Sequence, residues 1–533
     1  MSTWAVGHVF VVAAGNAPAC ILDQEKSMVL RRCTTLLAGL ALLVPISAGA
    51  ATRCEQVLQA FGNQLADATC YEKSDLTTNG DVTDTHPTTP LDNVWQPGLP
   101  LPLPLLAFTP RTDRAILINA VVTPPQDKTP ITMAVSGMQI NARIASDPTG
   151  QARFLLRLPD NWNGRLVVAG APSQRSEFTN DYGWSDYVLQ KGYAFASQNK
   201  GVLNAMLTTS ADPLGCRLNP LSGTYVHFYD NDPGKPFTQW AQYMIDAANL
   251  ARTGIKGAYK GGPPRYTYAV GTSNGGYQVR RAVELAPKLF DGGVDWEGTY
   301  VDEAAPNILT DLPPGVLNFP DYLASPYDPN STAAKNIRGA GYPPDIVNNA
   351  VIPASFWGRY YASYWEVTMC QWQKRLDPTY DTYGSGLSTY NYVGRLPFSD
   401  VGENMAAFAT TGLIQAPLIT VAGTMDALLP IDHHARAYAR AVQAGFEQQP
   451  GYPNRPMPAY RLYEVQNGNH IENYKAFYPQ LEYILPHAQH AFDLLVANVE
   501  QSAPLPPDQC ILRGGAITGT PSQPGHCANL FVP

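Results

Sequence analysis

Positive charge is scarce in this chain. Of 533 residues, 36 are Lys or Arg against 44 Asp or Glu; charged residues make up only 15%, and the formal net charge is −8. No basic stripe or Lys/Arg block is present to neutralise phosphates or an anionic bilayer, which argues against nucleic acid and membrane surfaces as partners. After residue 51 no apolar run reaches the roughly 18 residues a transmembrane helix needs. The cysteines do not fall at zinc-like spacings with histidine, and no Asp-x-Asp-x-Asp run marks a calcium loop. Repeats with periods of about 20 to 50 residues are missing too, which excludes a solenoid. A small-molecule or oligomeric neutral substrate, handled without a cofactor, is what these absences leave.

The amino-terminal stretch reads as a leader. Met28-Val-Leu-Arg-Arg32, an apolar run from Thr35 to Ile46 and Ser47-Ala-Gly-Ala50-Ala51 supply the basic, apolar and small-residue parts of a secretory signal. Cleavage is expected after Ala50, with Met28 as the start and residues 1–27 upstream of it. Its removal takes Cys20 and Cys33 and leaves Cys54, Cys70, Cys216, Cys370, Cys510 and Cys527, an even set that predicts three disulfides in a secreted or periplasmic protein. The shortest closures pair Cys54 with Cys70 and Cys510 with Cys527, leaving Cys216 for Cys370.

Strand and helix patterns alternate through much of the rest, which predicts an α/β fold. A helix is expected over 55–66, then a proline-rich linker over 77–104. Short strands over 115–122, 131–135, 138–144 and 152–158 predict an antiparallel lead-in sheet. Strand 165–169, helix 184–191 and strand 193–197 form a βαβ unit. A long amphipathic helix over 240–259 leads to a strand from Tyr266, and a further strand is expected over 292–295. From about 300 to 405 the sequence turns to Pro, Asn, Tyr and Trp, and predicts an inserted lid whose aromatics mostly pack on one another. Strands 417–422 and 460–465 and helices 433–445 and 486–502 complete the core. The expected division is therefore a leader over 1–50, a helix and linker over 51–108, a core over 109–299 and 406–503, a lid over 300–405, and a disulfide-closed tail over 504–533.

The chemistry centres on Gly271-Thr-Ser273-Asn-Gly275, placed where strand turns into helix. With 44 glycines in the chain such a pentad is weak alone, but a strand before it and a helix after it are what a nucleophile elbow requires. A serine hydroxyl attacks only when a base takes its proton, and an acid must hold that base in the right tautomer. Asp426 and His470 follow Ser273 in the order Ser, acid, His, each after a predicted strand. The alternatives are weaker: His433 and His434 lie too close to Asp426, His487 and His490 fall on a predicted helix, and Asp432 suits a helix start. The oxyanion donors expected are the N–H of Asn274 and that of Gly170 or Ala171; Pro172 has none to give. Arg175 and Glu177 in the same loop are read as solvated charges, with substrate contact as the lesser reading. The carboxylates Asp295, Glu297, Asp302 and Glu303 leave glycoside hydrolysis as a weaker alternative.

Leu158-Pro-Asp-Asn-Trp-Asn-Gly-Arg165, Gly271-Thr-Ser-Asn-Gly-Gly276, Ala422-Gly-Thr-Met-Asp426-Ala-Leu-Leu-Pro430 and Asn467-Gly-Asn-His470, in that order, resemble the tannase and feruloyl esterase family of secreted α/β-hydrolases. The resemblance covers about residues 110 to 500. It implies an α/β-hydrolase fold, ester hydrolysis through an acyl-enzyme with Ser273, Asp426 and His470 as triad, and a lid that recognises the acid part of an aromatic ester. Members of that family usually carry a cysteine pair beside the triad, and Thr272 and Ile471 stand in those places here. Esters of aliphatic hydroxyalkanoate oligomers or polyester fragments are the alternative substrates; a peptidase or a non-catalytic binding protein of the same fold would be the alternatives in kind.

Overall fold

The computed structural model describes residues 51–80, 129–172, 177–201, 206–208, 224–226, 237–380, 390–448, 454 and 457–533. The leader, most of the linker and strand 115–122 lie outside the described residues, as do Arg175 and Cys216.

Among the described residues ten strands form one sheet. In chain order they are β1 (Leu65–Lys73), β2 (Gly137–Ile144), β3 (Arg153–Pro159), β4 (Arg165–Gly170) and β5 (Ala194–Gln198), then β8 (Tyr266–Thr272), β9 (Gly292–Trp296), β10 (Leu418–Gly423), β11 (Tyr460–Val465) and β12 (Gln509–Ile511). A separate two-stranded ribbon holds β6 (Met206–Thr208) and β7 (Thr224–Val226). The spatial order is β1-β2-β3-β5-β4-β8-β9-β10-β11-β12. Pairing is antiparallel from β1 to β5 and parallel from β5 onward. This is the α/β-hydrolase arrangement.

Period-two alternation sorts the strand side chains between two helical layers. Leu166 and Val168 of β4 and Ala269 of β8 join the core formed with helices Arg53–Phe61, Gln239–Ala258, Asn274–Leu285 and Ala435–Glu447. Val167 and Ala169 of β4, with Tyr268 and Val270 of β8, face the opposite way, onto Trp184, Val188, Phe492 and Leu495. The segment between β9 and β10 is built of helices, among them Pro313–Ala324, Thr332–Gly339 and Glu366–Leu376. Its aromatics form a third core: Phe319, Trp357, Tyr360, Trp365 and Trp372 pack together and against Met425 and Tyr478.

The lead-in differs from expectation. The first helix stops at Phe61 because Gly62 takes a positive φ of 57° there, and the chain then turns into β1, a strand the sequence pattern hides. The Cys54–Cys70 disulfide ties that helix to that strand, and Cys510–Cys527 closes the tail. Cys370 is also disulfide-bonded. Residues 131–135 form no strand, although Val135 O accepts the N–H of Leu76. Helix 184–191 is found earlier, as a π turn, Asp181–Ser185, followed by Asp186–Leu189, and the buried Arg157 guanidinium holds Asp181 (2.5 Å) and Ser185 (2.7 Å) at the two ends of that turn. Asp432 does not begin the next helix, which starts at Ala435; it pairs with Arg436 instead. Among the described residues no helix is long and apolar enough to cross a membrane.

A fully buried ion pair fixes the elbow helix to the sheet. Arg280 Nε donates to Asp295 Oδ2 at 2.5 Å, and the same carboxylate accepts from Thr420 Oγ1 and the N–H of Gly298. Removing one partner of such a pair strands the other charge. Arg280→Met is expected to cost about 3 to 5 kcal/mol, read as a lowered midpoint in chemical denaturation.

Candidate active site

The elbow is where strand and helix come closest. Ser273 has φ 58° and ψ −122°, a conformation that costs a non-glycine residue on the order of 1 to 3 kcal/mol. It is sustained by the N–H of Ser273 donating to Trp296 O and by Ser273 O accepting from Tyr277 N–H. A Cβ on Gly275 would stand 2.3 Å from Gly170 O, and one on Gly276 2.4 Å from Asp295 Oδ1, so neither position has room for a side chain. The bend lifts the Ser273 hydroxyl off the end of β8.

Two more loops at the carboxyl ends of strands meet it there. His470 Nε2 lies 2.9 Å from Ser273 Oγ, and His470 Nδ1 lies 2.7 Å from Asp426 Oδ2. The structure thus brings together all three residues singled out in the sequence, and all three are buried. Asp426 is aimed by its other oxygen, which accepts the N–H groups of Leu428 (2.8 Å) and Leu429 (2.7 Å). The acid and base loops grip each other as well: Met425 N–H donates to Gly468 O at 2.7 Å, and Asn467 N–H to Thr424 Oγ1 at 2.9 Å. Asn469, just before the histidine, folds back onto Ile471 O and accepts the hydroxyl of Tyr360 from the inserted segment.

For the oxyanion the candidates fare unequally. Asn274 is the first residue of the elbow helix, so its N–H has no intrahelical acceptor and sits beside Ser273. Ala171 is already committed, its N–H donating to Gln278 Oε1 at 2.8 Å. Gly170 packs directly against Gly275, and its carbonyl accepts from Asn180 Nδ2. Glu177, expected as a solvated charge, is only 1% exposed.

The competing histidines have other duties. His434 Nδ1 accepts the N–H of Tyr300 while its Nε2 faces Asp311, and burial holds its ring below the usual imidazole range. His433 also pairs with Asp311. His487 lies on helix Leu485–Gln501, where burial pushes it down to about 4. The carboxylate group after β9 is split: Asp295 is locked to Arg280, Asp302 accepts from Tyr300 and Ala304, and Glu297 turns toward His470. Glu297 and Gln278 were missed as site residues. The one available signal for Glu297 was its place at the carboxyl end of a core strand.

Comparison with known proteins adds sequence and fold likeness. The family model described as 3HB-oligomer hydrolase (3HBOH) matches residues 398–530. Two proteins named D-(-)-3-hydroxybutyrate oligomer hydrolase are each 30% identical to parts of the chain. The one from Ralstonia nicotianae matches over 120 residues, 21% of this chain and 15% of its own length; that from Burkholderia vietnamiensis over 135 residues, 23% and 18%. The chain thus matches less than a fifth of the length of these relatives. Among solved structures, feruloyl esterase B from Aspergillus oryzae is similar at 14% identity and a TM-score of 0.41, covering 70% of this chain and 82% of that one. Tannin acyl hydrolase from Aspergillus niger stands at 12% identity and 0.38, covering 71% and 81%.

The close approach at the elbow can be tested directly. Gly275→Ala is expected to lower the thermal midpoint, at a cost of about 1 to 3 kcal/mol, because its methyl meets backbone rather than a movable side chain. Gly261→Ala, in open space, serves as the control and should leave the midpoint in place.

Proposed function

We propose that this protein is a serine-dependent carboxylic ester hydrolase. The observation that carries the reading is the unbroken line Asp426–His470–Ser273, with hydrogen bonds of 2.7 and 2.9 Å on three different loops. His470 Nε2 takes the Ser273 proton as Oγ bonds to the ester carbonyl carbon, and the resulting oxyanion rests on the N–H of Asn274. The imidazolium, its Nδ1–H held by Asp426, gives that proton to the departing alcohol oxygen, leaving an acyl-enzyme. Water then enters along the same path, loses a proton to Nε2 as its oxygen bonds to the acyl carbon, and Nε2 returns that proton to Ser273 Oγ as the acyl C–O bond breaks, releasing the acid and the free serine. Gly170 is the second oxyanion donor in this reading, since Ala171 is occupied by Gln278. No step calls for a cofactor.

For substrate we favour short aliphatic 3-hydroxyalkanoate oligomers. The match to the 3HB-oligomer hydrolase model spans 398–530 and so includes Asp426 and His470, two of the three residues. Aromatic tannase-type or feruloyl-type esters are the second reading, supported by the Trp162-Asn-Gly-Arg165 turn and weakened by Thr272 and Ile471 where that family usually has cysteines. The helical segment over 300–405 is proposed as the lid that sorts acyl groups. Secretion or periplasmic export is proposed from the signal-like leader and the disulfides.

Ser273→Ala is expected to remove nearly all hydrolysis of 3-hydroxybutyrate oligomers and short p-nitrophenyl esters, a loss of about 10⁴-fold or more in kcat, without loss of fold by circular dichroism. A fluorophosphonate should label the wild type at Ser273 and leave the variant untouched. Ranking hydroxybutyrate, gallate and ferulate esters by kcat/KM decides between the two substrate readings.

A further inference from the structure

Two carboxyl groups, not one, converge on the histidine. Asp426 Oδ2 accepts from His470 Nδ1 at 2.7 Å, and Glu297 Oε2 stands 3.6 Å from the same nitrogen. Glu297 reaches this point from the loop after β9, with a left-handed φ of 50° that a glutamate adopts only under constraint. That backbone is pinned, its N–H donating to Val421 O at 2.9 Å. Oε1 accepts the N–H of Gly423 at 3.0 Å, whereas Oε2 is buried and makes no close hydrogen bond, with the Trp296 side chain the further donor beside the carboxyl. The side chain is 1% exposed.

Among the described residues the titratable groups that face it include Asp426, His470, Glu472 and the phenol of Tyr360. Asp295, two residues earlier, is engaged by Arg280. Ligand atoms of Glu297, Asp426 and His470 all lie within 4.8 Å of one another and all three residues are buried, so two full negative charges there would repel each other. Burial first, and then the charge of Asp426, holds the Glu297 carboxyl well above the usual carboxylate range. Asp426, unlike Glu297, accepts two backbone N–H groups through the oxygen that faces away from His470.

We propose that Glu297 is a positioning residue for His470: a neutral reserve acid beside Nδ1, which ionises and accepts the Nδ1–H when Asp426 cannot. One negative charge is then kept behind the imidazole by two carboxyl groups within reach of the same nitrogen. The idea rests on the catalytic reading given above for Ser273, Asp426 and His470.

The sign of the pH dependence follows. In Asp426→Asn the neighbouring negative charge is gone, so Glu297 loses its proton at lower pH than in the wild type, and activity should rise with pH as it does so. Replacing the triad acid by its amide costs roughly 10⁴-fold elsewhere because the histidine takes the wrong tautomer. Here D426N is expected to lose about 10² to 10³-fold in kcat, with the residual rate climbing toward alkaline pH. D426N/E297Q should lose about tenfold more and show no such climb. A flat D426N profile, or equal rates and profiles in the two variants, would overturn the proposal. A readout that needs no turnover is the ¹⁵N shifts of the His470 ring. Nδ1 should stay protonated in D426N at alkaline pH and lose that preference in D426N/E297Q; identical tautomer populations in both would also overturn it. If the wild type neither hydrolyses esters nor labels at Ser273 while the ring shifts behave as expected, the esterase reading fails and the pairing of Glu297 with His470 stands.

Discussion

A serine held at φ 58° between a strand and a helix can persist only if its surroundings leave it no relaxed alternative. Here the surroundings are backbone. Gly170, Gly271 and Gly275 meet so closely that a single methyl on any of them would overlap a carbonyl, and the Arg280–Asp295 pair clamps the helix behind them. From that fixed point the rest follows. The hydroxyl stands clear of the sheet, the first helical N–H lies next to it, and the loops after β10 and β11 have one place to deliver an acid and a base. The strain at one residue is balanced by close packing across three strands.

The parts legible in the sequence are those with local rules. Gly271-Thr-Ser-Asn-Gly275 announces its turn because glycine is demanded by sterics, and Asp426 and His470 could be placed because each follows an apolar strand in the expected order. Core strands β4, β8, β10 and β11 likewise fall within a residue or two of where their apolar runs put them. What stayed hidden depends on partners distant in sequence. Strand β1 is polar and half-exposed, and owes its register to β2 and to a disulfide. The three residues of β12 become a strand only by lying along β11. Glu297 reads like any acid in a loop until β9 and β10 pair and set its backbone, and Gln278 gives no hint that it will occupy the N–H of Ala171.

The inserted segment has its own logic. Many of its aromatics pack on one another, as Phe319 does with Tyr361 and Trp365, and Tyr360 with Phe356. Two of its hydrogen bonds reach the loops that carry the acid and the base. Tyr360 holds Asn469 next to the histidine, and Trp365 Nε1 donates to Ala427 O next to the acid, at 2.6 Å. Any displacement of this segment is therefore felt at both loops at once.

The tail makes a similar grip from the other side. Thr424 donates its hydroxyl to Leu530 O, Asn467 Nδ2 donates to Val532 O, and Val532 N–H donates to Asn467 Oδ1 at 2.8 Å, so residues 530 to 532 bind both loops that carry the acid and the base. The serine is in the growing polypeptide some 250 residues before those contacts can exist. On a ribosome the chain thus carries its alcohol without these braces on its proton acceptor until residues 530 to 532 have been made.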